Sequence, residues 1–285
     1  MKSTQSVEFS NLTLVVPTAG YTGLRKSLHS YRKYAPGAKI IVVDQTIRGE
    51  DLGDLADIHI KINKALGFAK AMNTGIVLAD TDYICCANDD VELVNERWWE
   101  GIIYWFEKHP TAGAINPASI KGYNTESDSL PYKEEYSEED YDFLLTERTL
   151  DSSPINPIKP EIVIDGIMTW FTVFKKEALE KIKNNGCYFD ERFYPGGGED
   201  YDIMCRLYDA GYRALGVFNS WAYHHWFGTR AARDYESFSR ENSNAPKIDN
   251  SLKFSDVDKK YNGNWDLWGR KDKNIPMPDC TKRRI

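Results

Sequence analysis

Strand-like and helix-like segments alternate along this chain, which predicts an α/β fold whose mostly parallel sheet is flanked by helices in a single main domain. The strand-like segments are short β-branched runs closed by turn or polar residues, such as residues 12–16 before Pro17 and residues 39–43 before Asp44. Between these runs, apolar residues recur at helical spacing. Polar residues follow several of the runs, and open α/β sheets bind ligands at the carboxyl ends of their strands.

The individual elements follow from the same two periodicities. In the first half, strands are predicted at residues 12–16, 39–43, 58–62 and 83–87, and helices at residues 21–34, 67–79 and 96–108. In the second half, strands are predicted near residues 112–115, 161–164, 214–217 and 220–228, and helices at residues 176–183 and 199–210. Gly211 follows the last of these helices, at the position where a glycine commonly ends a helix.

The composition is that of a folded globular protein. The chain has 285 residues, of which 41% are hydrophobic, which is enough material for a large core. No apolar run approaches the roughly 20 residues that a membrane-spanning helix needs, and residues 1–10 lack the apolar centre of a signal peptide. Cys85 and Cys86 lie inside a predicted buried strand, which argues against a disulfide framework. A cytoplasmic location is therefore expected.

Charge is unevenly distributed along the chain. The formal net charge is −7, and residues 121–160 alone hold ten Asp and Glu against four Lys and Arg. The favoured interpretation of this segment is a solvated insertion, and the alternative is a lid or a loop that faces the acceptor. Nucleic acid is not favoured as a partner on charge, although a local basic face is left open.

Three predicted strands end on groups suited to a polar ligand: Thr18, Asp44 and the run Asn88-Asp89-Asp90. Carboxylates at the end of a buried strand are costly unless a positive group meets them. A divalent cation, and through it a diphosphate, satisfies that need. The first strand is not followed by GxGxxG or GxxxxGKS/T, so a phosphate here would be held by a cation and by Lys or Arg rather than by a glycine loop.

The second half offers two further candidate groups. Residues 196–198 are three consecutive glycines, and Glu199 and Asp200 begin the predicted helix behind them. Acidic residues in a first helical turn are ordinarily partners of the helix dipole, but a bare glycine loop lets a substrate approach Asp200. Near the end of this half, His224 and His225 lie in a predicted strand. Neighbouring strand residues face opposite ways, so at most one of the two faces a given site.

Six segments, taken in order, resemble the pattern of the metal-dependent GT-A glycosyltransferases of the inverting family 2 type, and their rhamnosyltransferase-like branch in particular. The segments are Leu14–Thr18, Ile40–Asp44, Asn63–Gly75, Asn88–Asp90, Phe189–Tyr212 and Tyr223–His225. Asn88 stands where the family's DxD motif has its first Asp, a substitution common in this branch. The order and spacing of the segments carry the resemblance, which covers residues 12–228 apart from the acidic insertion.

The resemblance implies a role for each matched residue. It implies that the metal ligands are Asp90 and His224, with His225 as the substitute, and that Asp200 is the catalytic base with Glu199 beside it. The residues that it places at the nucleotide and the donor sugar are Pro17, Thr18, Asp44, Asn63, Lys64, Gly67, Lys70, Asn73, Asn88 and Asp89. The implied cofactor is a divalent cation, Mn²⁺ or Mg²⁺.

The resemblance also divides the chain into parts. Residues 1–228 are expected to form a GT-A domain, with a nucleotide-binding half at 1–110, the acidic insertion at 121–160 and an acceptor or catalytic half at 161–228. Residues 229–285 are expected to form a C-terminal extension packed on that domain.

The function implied by the resemblance is metal-dependent, inverting transfer of a sugar from a nucleoside diphosphate sugar, with UDP favoured, to an acceptor hydroxyl. The acceptor is a glycan or another hydroxyl compound, and a nucleic-acid acceptor is left open but not favoured. The alternatives are a non-catalytic nucleotide-sugar or carbohydrate-binding protein and a glycoside hydrolase. A hydrolase also uses two carboxylates, but it does not need carboxylates at the strand ends. A sugar nucleotidyltransferase is disfavoured because its Gly-rich first loop is missing.

Overall fold

The computed structural model describes residues 9–20, 22–46, 51–95, 97–121, 163–165, 169–193, 196 and 199–225 of the chain. The strands of this part are β1 Leu12–Thr18, β2 Lys39–Asp44, β3 Ile58–Lys61, β4 Tyr83–Ala87, β5 Val91–Glu92, β6 Ala112–Lys121, β7 Val163–Asp165, β8 Phe171–Lys175 and β9 Arg213–His224. Its α-helices are α1 Leu24–Tyr34, α2 Phe68–Ile76, α3 Trp98–Lys108, α4 Lys176–Ile182 and α5 Glu199–Asp209, and a 3₁₀ turn covers Gly53–Leu55.

These strands form one sheet in the order β3-β2-β1-β4-β8-β6-β9-β5, with β7 paired to β9. β1 pairs in parallel with both β2 and β4, and β2 pairs in parallel with β3. β8 lies next to β4 in the antiparallel direction, and β6 and β9 form a further parallel pair beyond it. The first half of the chain therefore builds the predicted parallel half-sheet, and the second half completes it in mixed directions.

The predicted element types agree with the structure, and the differences lie mainly at boundaries. β1 continues through Pro17 to Thr18 because both residues keep their register with β2. The two strands predicted at 214–217 and 220–228 are a single strand, β9, whose ladder with β6 is interrupted between Val217 and Trp221. Two strands were not predicted. β5 has only two residues, too few to show alternation, and β8 lies in a largely apolar run without a clear period of two.

Two predicted parts of the chain cannot be compared with the structure. Of the acidic insertion predicted at 121–160, only Lys121 is among the described residues. The predicted extension at 229–285 lies wholly outside them.

Two hydrophobic clusters cover the two faces of the sheet, because neighbouring strand residues point to opposite faces. On one face, Leu14, Val16 and Cys85 pack with α1 and α3, and on the other face Val15 and Cys86 pack with α2, α4 and α5. The order of layers is therefore helix, sheet, helix, which confirms the predicted single α/β domain. Within the described ranges, no helix is both long and apolar enough to cross a bilayer.

The cysteines differ from the expectation in one respect. Cys85 and Cys86 are buried free thiols, and burial raises the pKa of both. Cys187 is also a free thiol, but Cys205 is disulfide-bonded. The disulfide of Cys205 was not predicted, because sequence spacing does not show which side chains approach each other.

The carboxyl edge of the parallel half-sheet is where the predicted donor residues meet. β1 and β2 end there on Thr18 and Asp44, which are register partners, and β4 ends there at Ala87. α2 begins at the same edge because it follows β3 and returns along the sheet. The edge therefore offers three strand ends and one helix N-terminus to a ligand.

Candidate active site

The turn at residues 88–90 joins two parts of the sheet. β4 precedes it, and β5, directly after it, pairs antiparallel with the end of β9. Main-chain hydrogen bonds anchor both ends of the turn: Asn88 N donates to the carbonyl oxygen of Trp170 at 2.8 Å, and His225 N donates to that of Asp90 at 2.9 Å. The turn therefore brings the end of β9 beside the end of β4.

Asp90 lies beside His224 as a result of this pairing. Oδ1 of Asp90 is 3.2 Å from Nε2 of His224, and the two side chains are only 7% and 8% exposed. The indole of Trp170 stacks on the imidazole of His224, with ring centroids 4.9 Å apart and an interplanar angle of 10°. The carbonyl oxygen of Trp170 also accepts the hydrogen bond from Asn88 N. Trp170 therefore contacts both His224 and the turn that carries Asp90.

His225 contacts a different carboxylate. Its Nε2 hydrogen-bonds with Oε1 of Glu92, and that oxygen also lies 2.9 Å from Nζ of Lys26. Burial raises the pKa of Glu92, but the hydrogen bonds from His225 and Lys26 outweigh burial and lower that pKa below its usual value. The two neighbouring histidines thus face different groups, as strand alternation predicts, and His224 is the one that meets Asp90.

Hydroxyl groups hold the turn from the side of α1 and β1. Oγ of Ser27 donates to the carbonyl oxygen of Asp89 at 2.7 Å, and the hydroxyl of Tyr31 donates to that of Asn88 at 2.9 Å. Oγ1 of Thr18 donates to Oδ2 of Asp89 at 2.7 Å. Burial, together with the negative groups nearby, raises the pKa of Tyr31 well above its ordinary value. Thr18 and the turn therefore form one hydrogen-bonded unit.

Asp44 is already engaged by protein groups. Its Oδ1 accepts hydrogen bonds from N and Oγ1 of Thr46, at 2.8 and 2.6 Å, and its Oδ2 lies 3.2 Å from Nε2 of His59. A carboxylate has about four lone-pair positions. If these three contacts persist when a nucleotide binds, the carboxylate of Asp44 keeps one lone-pair position to accept a hydrogen bond from the base.

The predicted diphosphate segment passes from β3 into α2. Asn63 has a φ of 53°, and Gly67, directly before α2, has a φ of 79°. Such positive φ values are open to glycine and tolerated by asparagine, which explains these residue types. Lys64 is exposed, and Nζ of Lys70 lies 3.4 Å from Oε2 of Glu191. Two cations and a helix N-terminus thus lie along this segment, a combination that favours an anion.

Asn73 links α2 to residues 188–191. Its Nδ2 donates to the carbonyl oxygen of Phe189 at 2.9 Å and to Oε1 of Glu191 at 3.1 Å, and its Oδ1 accepts from the main-chain N of Tyr188 at 3.0 Å and of Phe189 at 2.8 Å. An amide side chain has two donors and two acceptor lone pairs, so these four bonds use its full capacity. The donor contact expected of Asn73 would therefore require one of these bonds to break.

The acidic residues of the second half lie in the first turn of α5. Glu199 is buried and Asp200 is partly exposed. Asp202 forms an ion pair one turn along the helix, with 2.8 Å between its Oδ2 and Nη2 of Arg206. The ion pair with Arg206 accounts for the acidic side chain at Asp202. The roles of Glu199 and Asp200 stay predictions.

The glycine loop before α5 packs against the start of α2. A Cβ built on Gly196 would lie 3.4 Å from Cβ of Phe68 and 3.8 Å from Oε1 of Glu199. The ring of Phe68 also meets the ring of Phe189 edge to face, at a centroid distance of 5.9 Å. The predicted base segment and the predicted donor-binding helix are therefore neighbours.

Asp90 and His224 fit a shared divalent cation. Two ligands that lie about 2.1 Å from an octahedral ion, at right angles, are roughly 3 Å apart, and the observed separation is 3.2 Å. A carboxylate oxygen with an imidazole nitrogen suits Mn²⁺. Across the described ranges, no group of three or more His, Cys, Asp or Glu side chains is placed to hold a metal. The described protein groups thus offer two ligands, and a cation here would take the others from diphosphate oxygens and water.

Several supporting residues were not predicted. Trp170 lies in an apolar run with no polar signal, so its contact with the histidine was not foreseen. For Ser27 and Tyr31 the sequence did contain a signal, because hydroxyl side chains four residues apart share one face of a helix. Both residues are buried in the structure. Arg206 also had one, since it follows Asp202 at the spacing of helical ion pairs.

Solved structures, a mannosyltransferase among them, share this fold. The mannosyltransferase PcManGT from Pyrobaculum calidifontis, in complex with GDP-Man and Mn²⁺, is 17% identical with a TM-score of 0.52, and the match covers 80% of this chain and 59% of that one. GalNAc-T7 with UDP, GalNAc and Mn²⁺ is 17% identical with a TM-score of 0.55, covering 76% and 44%. S. aureus TarS 1-349 is 12% identical with a TM-score of 0.50, covering 87% and 68%. The fold is therefore the GT-A fold, as the sequence predicts.

The chain belongs to glycosyl transferase family 2. The model of that family matches residues 13–183, more than half of the chain, from β1 to the end of α4. The match of this chain spans 59% and 44% of the lengths of the first two solved relatives. A comparison with curated proteins gave no match.

Proposed function

We propose that this chain is a metal-dependent, inverting glycosyltransferase that moves a sugar from a nucleoside diphosphate sugar, with UDP favoured, to an acceptor hydroxyl. Membership of family 2 supports glycosyl transfer. The observation that carries the metal dependence is the buried Asp90–His224 pair, with 3.2 Å between the two facing atoms. The inverting outcome and the rhamnosyltransferase-like branch rest on the resemblance of the sequence motifs.

The carboxyl edge of the parallel half-sheet would bind the diphosphate through a cation. Asp90 and His224 would hold Mn²⁺ or Mg²⁺, and Asp89, fixed by Thr18, lies next to them in the chain. When bound, the cation supplies Lewis-acid neutralisation of the charge that develops on the leaving diphosphate. The N-terminus of α2 adds a favourable dipole at the same edge, because Gly67 brings the chain into the helix there.

The reaction forms a glycosidic bond to the acceptor and breaks the bond between the donor sugar and the diphosphate. The oxygen of the acceptor hydroxyl attacks the anomeric carbon opposite the leaving group, and this attack inverts the configuration. The bond from that carbon to the β-phosphate oxygen breaks, and its electron pair stays on the nucleoside diphosphate. The hydroxyl proton passes to a carboxylate, which we assign to Asp200 in the first turn of α5, with Glu199 beside it. General base catalysis of this kind contributes about 10²–10⁴-fold.

Asp44 favours a base that donates one hydrogen bond. Thr46 and His59 already use three of the roughly four acceptor positions of its carboxylate. The N3–H of uracil needs one acceptor position, whereas the N1–H and N2–H₂ edge of guanine presents two donors. This difference supports UDP as the nucleotide of the donor.

The direct test is a panel of nucleotide sugars, assayed by thermal unfolding with and without Mn²⁺. A ligand of the native state adds RT ln(1 + [L]/Kd), about 2.7 kcal/mol at 100 times Kd. We expect a UDP-sugar to raise Tm with Mn²⁺ and to lose this effect with EDTA. Stabilisation that is equal with and without EDTA would contradict the metal role, and stabilisation by no nucleotide sugar would contradict the proposed function.

Product analysis separates transfer from the alternatives. A glycosyltransferase releases nucleoside diphosphate faster when an acceptor is present, and the sugar appears on that acceptor. A binding protein leaves the nucleotide sugar intact. A glycoside hydrolase cleaves glycans with no nucleotide sugar at all, so the three outcomes are distinct in one chromatographic assay.

A further inference from the structure

A path of polar contacts joins α2 to α5 through the main chain of Tyr188. Oδ1 of Asn73 accepts from Tyr188 N at 3.0 Å, and Nη2 of Arg206 donates to the carbonyl oxygen of Tyr188 at 2.7 Å. Nε of Arg206 also donates to Oδ2 of Asp202 at 2.9 Å. We call these four residues the Tyr188 bridge. The bridge runs without a gap from α2 to the first turn of α5.

We propose that the Tyr188 bridge positions the first turn of α5, and with it the proposed base Asp200, relative to α2 and the bound donor. Asn73 and Arg206 are positioning residues in this assignment, because each acts through Tyr188. The proposal replaces the donor contact expected of Asn73, since its four hydrogen bonds to residues 188–191 use its full capacity. The inference rests on the proposed function, since it concerns the same site.

Arg206 fixes α5 from within the helix. Two turns into α5, its Nη1 and Nη2 donate to the carbonyl oxygens of Ile182 and Tyr188, which both lie outside α5. Gly196, which precedes α5, has no side chain with which to make such a contact. Arg206 therefore supplies directional contacts that Gly196 cannot supply.

The contacts of the bridge are buried and numerous. The side chains of Arg206 and Asp202 are 11% and 10% exposed, and Asn73 is 9% exposed. Arg206 adds a third contact, because its Nη1 donates to the carbonyl oxygen of Ile182 at the end of α4. A satisfied buried polar network fixes one arrangement, and a partly broken one is costly. The removal of one member should therefore shift α5 as a body.

The test compares Asn73→Ala and Arg206→Lys with Thr74→Ala, a matched control on α2. Thr74 is partly exposed, and its Oγ1 donates to the carbonyl oxygen of Lys70 within the helix. A misplacement of about 1 Å costs about 10²-fold in rate, so we expect kcat per folded molecule to fall about 10- to 100-fold in both bridge variants. We expect the KM for the donor, and the rise in Tm that the donor gives with Mn²⁺, to stay near wild type.

A conservative variant separates positioning from bulk stability. Asn73→Asp keeps both acceptor positions for the amides of Tyr188 and Phe189, so we expect it to recover part of the kcat that Asn73→Ala loses. The double variant of Asn73→Ala with Arg206→Lys should lose no more kcat than the worse single variant, because both changes cut one bridge. Wild-type kcat in the folded fraction of either single variant, or additive losses in the double variant, would overturn the proposal.

Hydrogen exchange on the wild-type protein provides a readout that needs no substitution. The amides of Tyr188 and Phe189 should exchange as slowly as those in the middle of α2, because Asn73 binds both. Exchange of these two amides at the rate of an open loop would overturn the proposal. Failure of the proposed function is distinguishable: the wild-type protein would then transfer no sugar, whereas failure of the bridge alone leaves transfer intact in both variants.

Discussion

The two halves of the candidate site, the turn at 88–90 and the segment formed by residues 188–191 and 199–202, are held in different ways. The turn is held by single hydroxyl bonds from Ser27 and Tyr31, and by main-chain bonds within the sheet. The segment is held by the amide of Asn73 and the guanidinium of Arg206, each of which makes several hydrogen bonds to it.

This difference predicts unequal tolerance to substitution. Removal of one hydroxyl leaves one carbonyl of the turn unpaired, which costs about 1–3 kcal/mol, while the sheet still holds both ends of the turn. The segment loses up to four bonds when one side chain is removed, because Asn73 makes four. The donor side should therefore be robust and the base side sensitive, and the substitutions below test that contrast.

The largest effect is expected from Asp200→Asn, which removes the proposed base. Transfer should fall by about 10²–10⁴-fold while donor binding persists, because an amide cannot accept the hydroxyl proton. Initial rates of nucleoside diphosphate release, together with donor thermal shifts, measure both quantities. Asp209→Asn is the matched control, since Asp209 is exposed at the last residue of α5. Near-normal transfer by Asp200→Asn would refute the base assignment.

Asp90→Asn should have the next largest effect, and it should act on the donor side. Loss of the charged ligand should lower transfer by about 10²–10³-fold. It should also abolish the Mn²⁺-dependent part of the donor's thermal shift. Asp80→Asn is the control, because the Asp80 side chain is 76% exposed and pairs with Lys39 on the surface. An unchanged response to Mn²⁺ in Asp90→Asn would exclude this residue as a ligand.

Trp170→Ala should weaken the metal site indirectly. Without the stacked indole, His224 loses the surface that orients its ring. Loss of such a supporting contact lowers metal affinity by about 10- to 100-fold. Titration of the protein with Mn²⁺, followed by the electron paramagnetic resonance signal of the unbound ion, measures the change directly. Trp170→Phe keeps an aromatic face and should lie between Trp170→Ala and wild type; equal affinities in all three proteins would contradict the role.

Tyr31→Phe tests the tolerance of the turn. It removes the hydroxyl that binds the carbonyl of Asn88 and should cost about 1–3 kcal/mol of unfolding free energy. Because the sheet still anchors the turn, kcat should stay within about threefold of wild type. Denaturant unfolding and initial rates check the two parts. A loss of kcat as large as that of Asn73→Ala would remove the contrast between the two halves.

The smallest effect is a pH dependence at Glu92. Its folded-state pKa is lowered below the ordinary value of 4.5 by His225 and Lys26, which outweigh its burial. Its stabilisation is therefore fully present above about pH 4.5 and is lost as the pH falls through the lower folded pKa. In Glu92→Gln, the free energy of unfolding measured in urea should fall less steeply below about pH 4.5 than it does in wild type. An identical acid limb in wild type and variant would contradict the ionised contact.

The sequence predicted the spatial neighbours of the turn at 88–90 better than those of Tyr188, for a physical reason. Thr18, Asp44 and the turn at 88–90 follow strand-like runs, and the carboxyl ends of parallel strands meet at one edge, so periodicity alone places them together. The Tyr188 bridge has no such signal, because Asn73 and Tyr188 are 115 positions apart and meet through a side chain. Periodicity reports which face a residue lies on, and it does not report which distant backbone atom that residue binds.

The interrupted ladder between β6 and β9 has a consequence for the length of β9. Pairing stops at Val217 opposite Pro117, resumes at Trp221 opposite Ala118, and runs to His224 opposite Lys121. Residues 218–220 have no register partner on β6, so a change of length there alters the interruption and leaves the pairing from Trp221 to His224 in place. Within the paired stretch facing alternates with each residue, so deletion or insertion of one residue between Trp221 and His224 would exchange the faces of His224 and His225. Related chains should therefore vary in length at 218–220 and keep a constant length from 221 to 225, which sequence alignment can check.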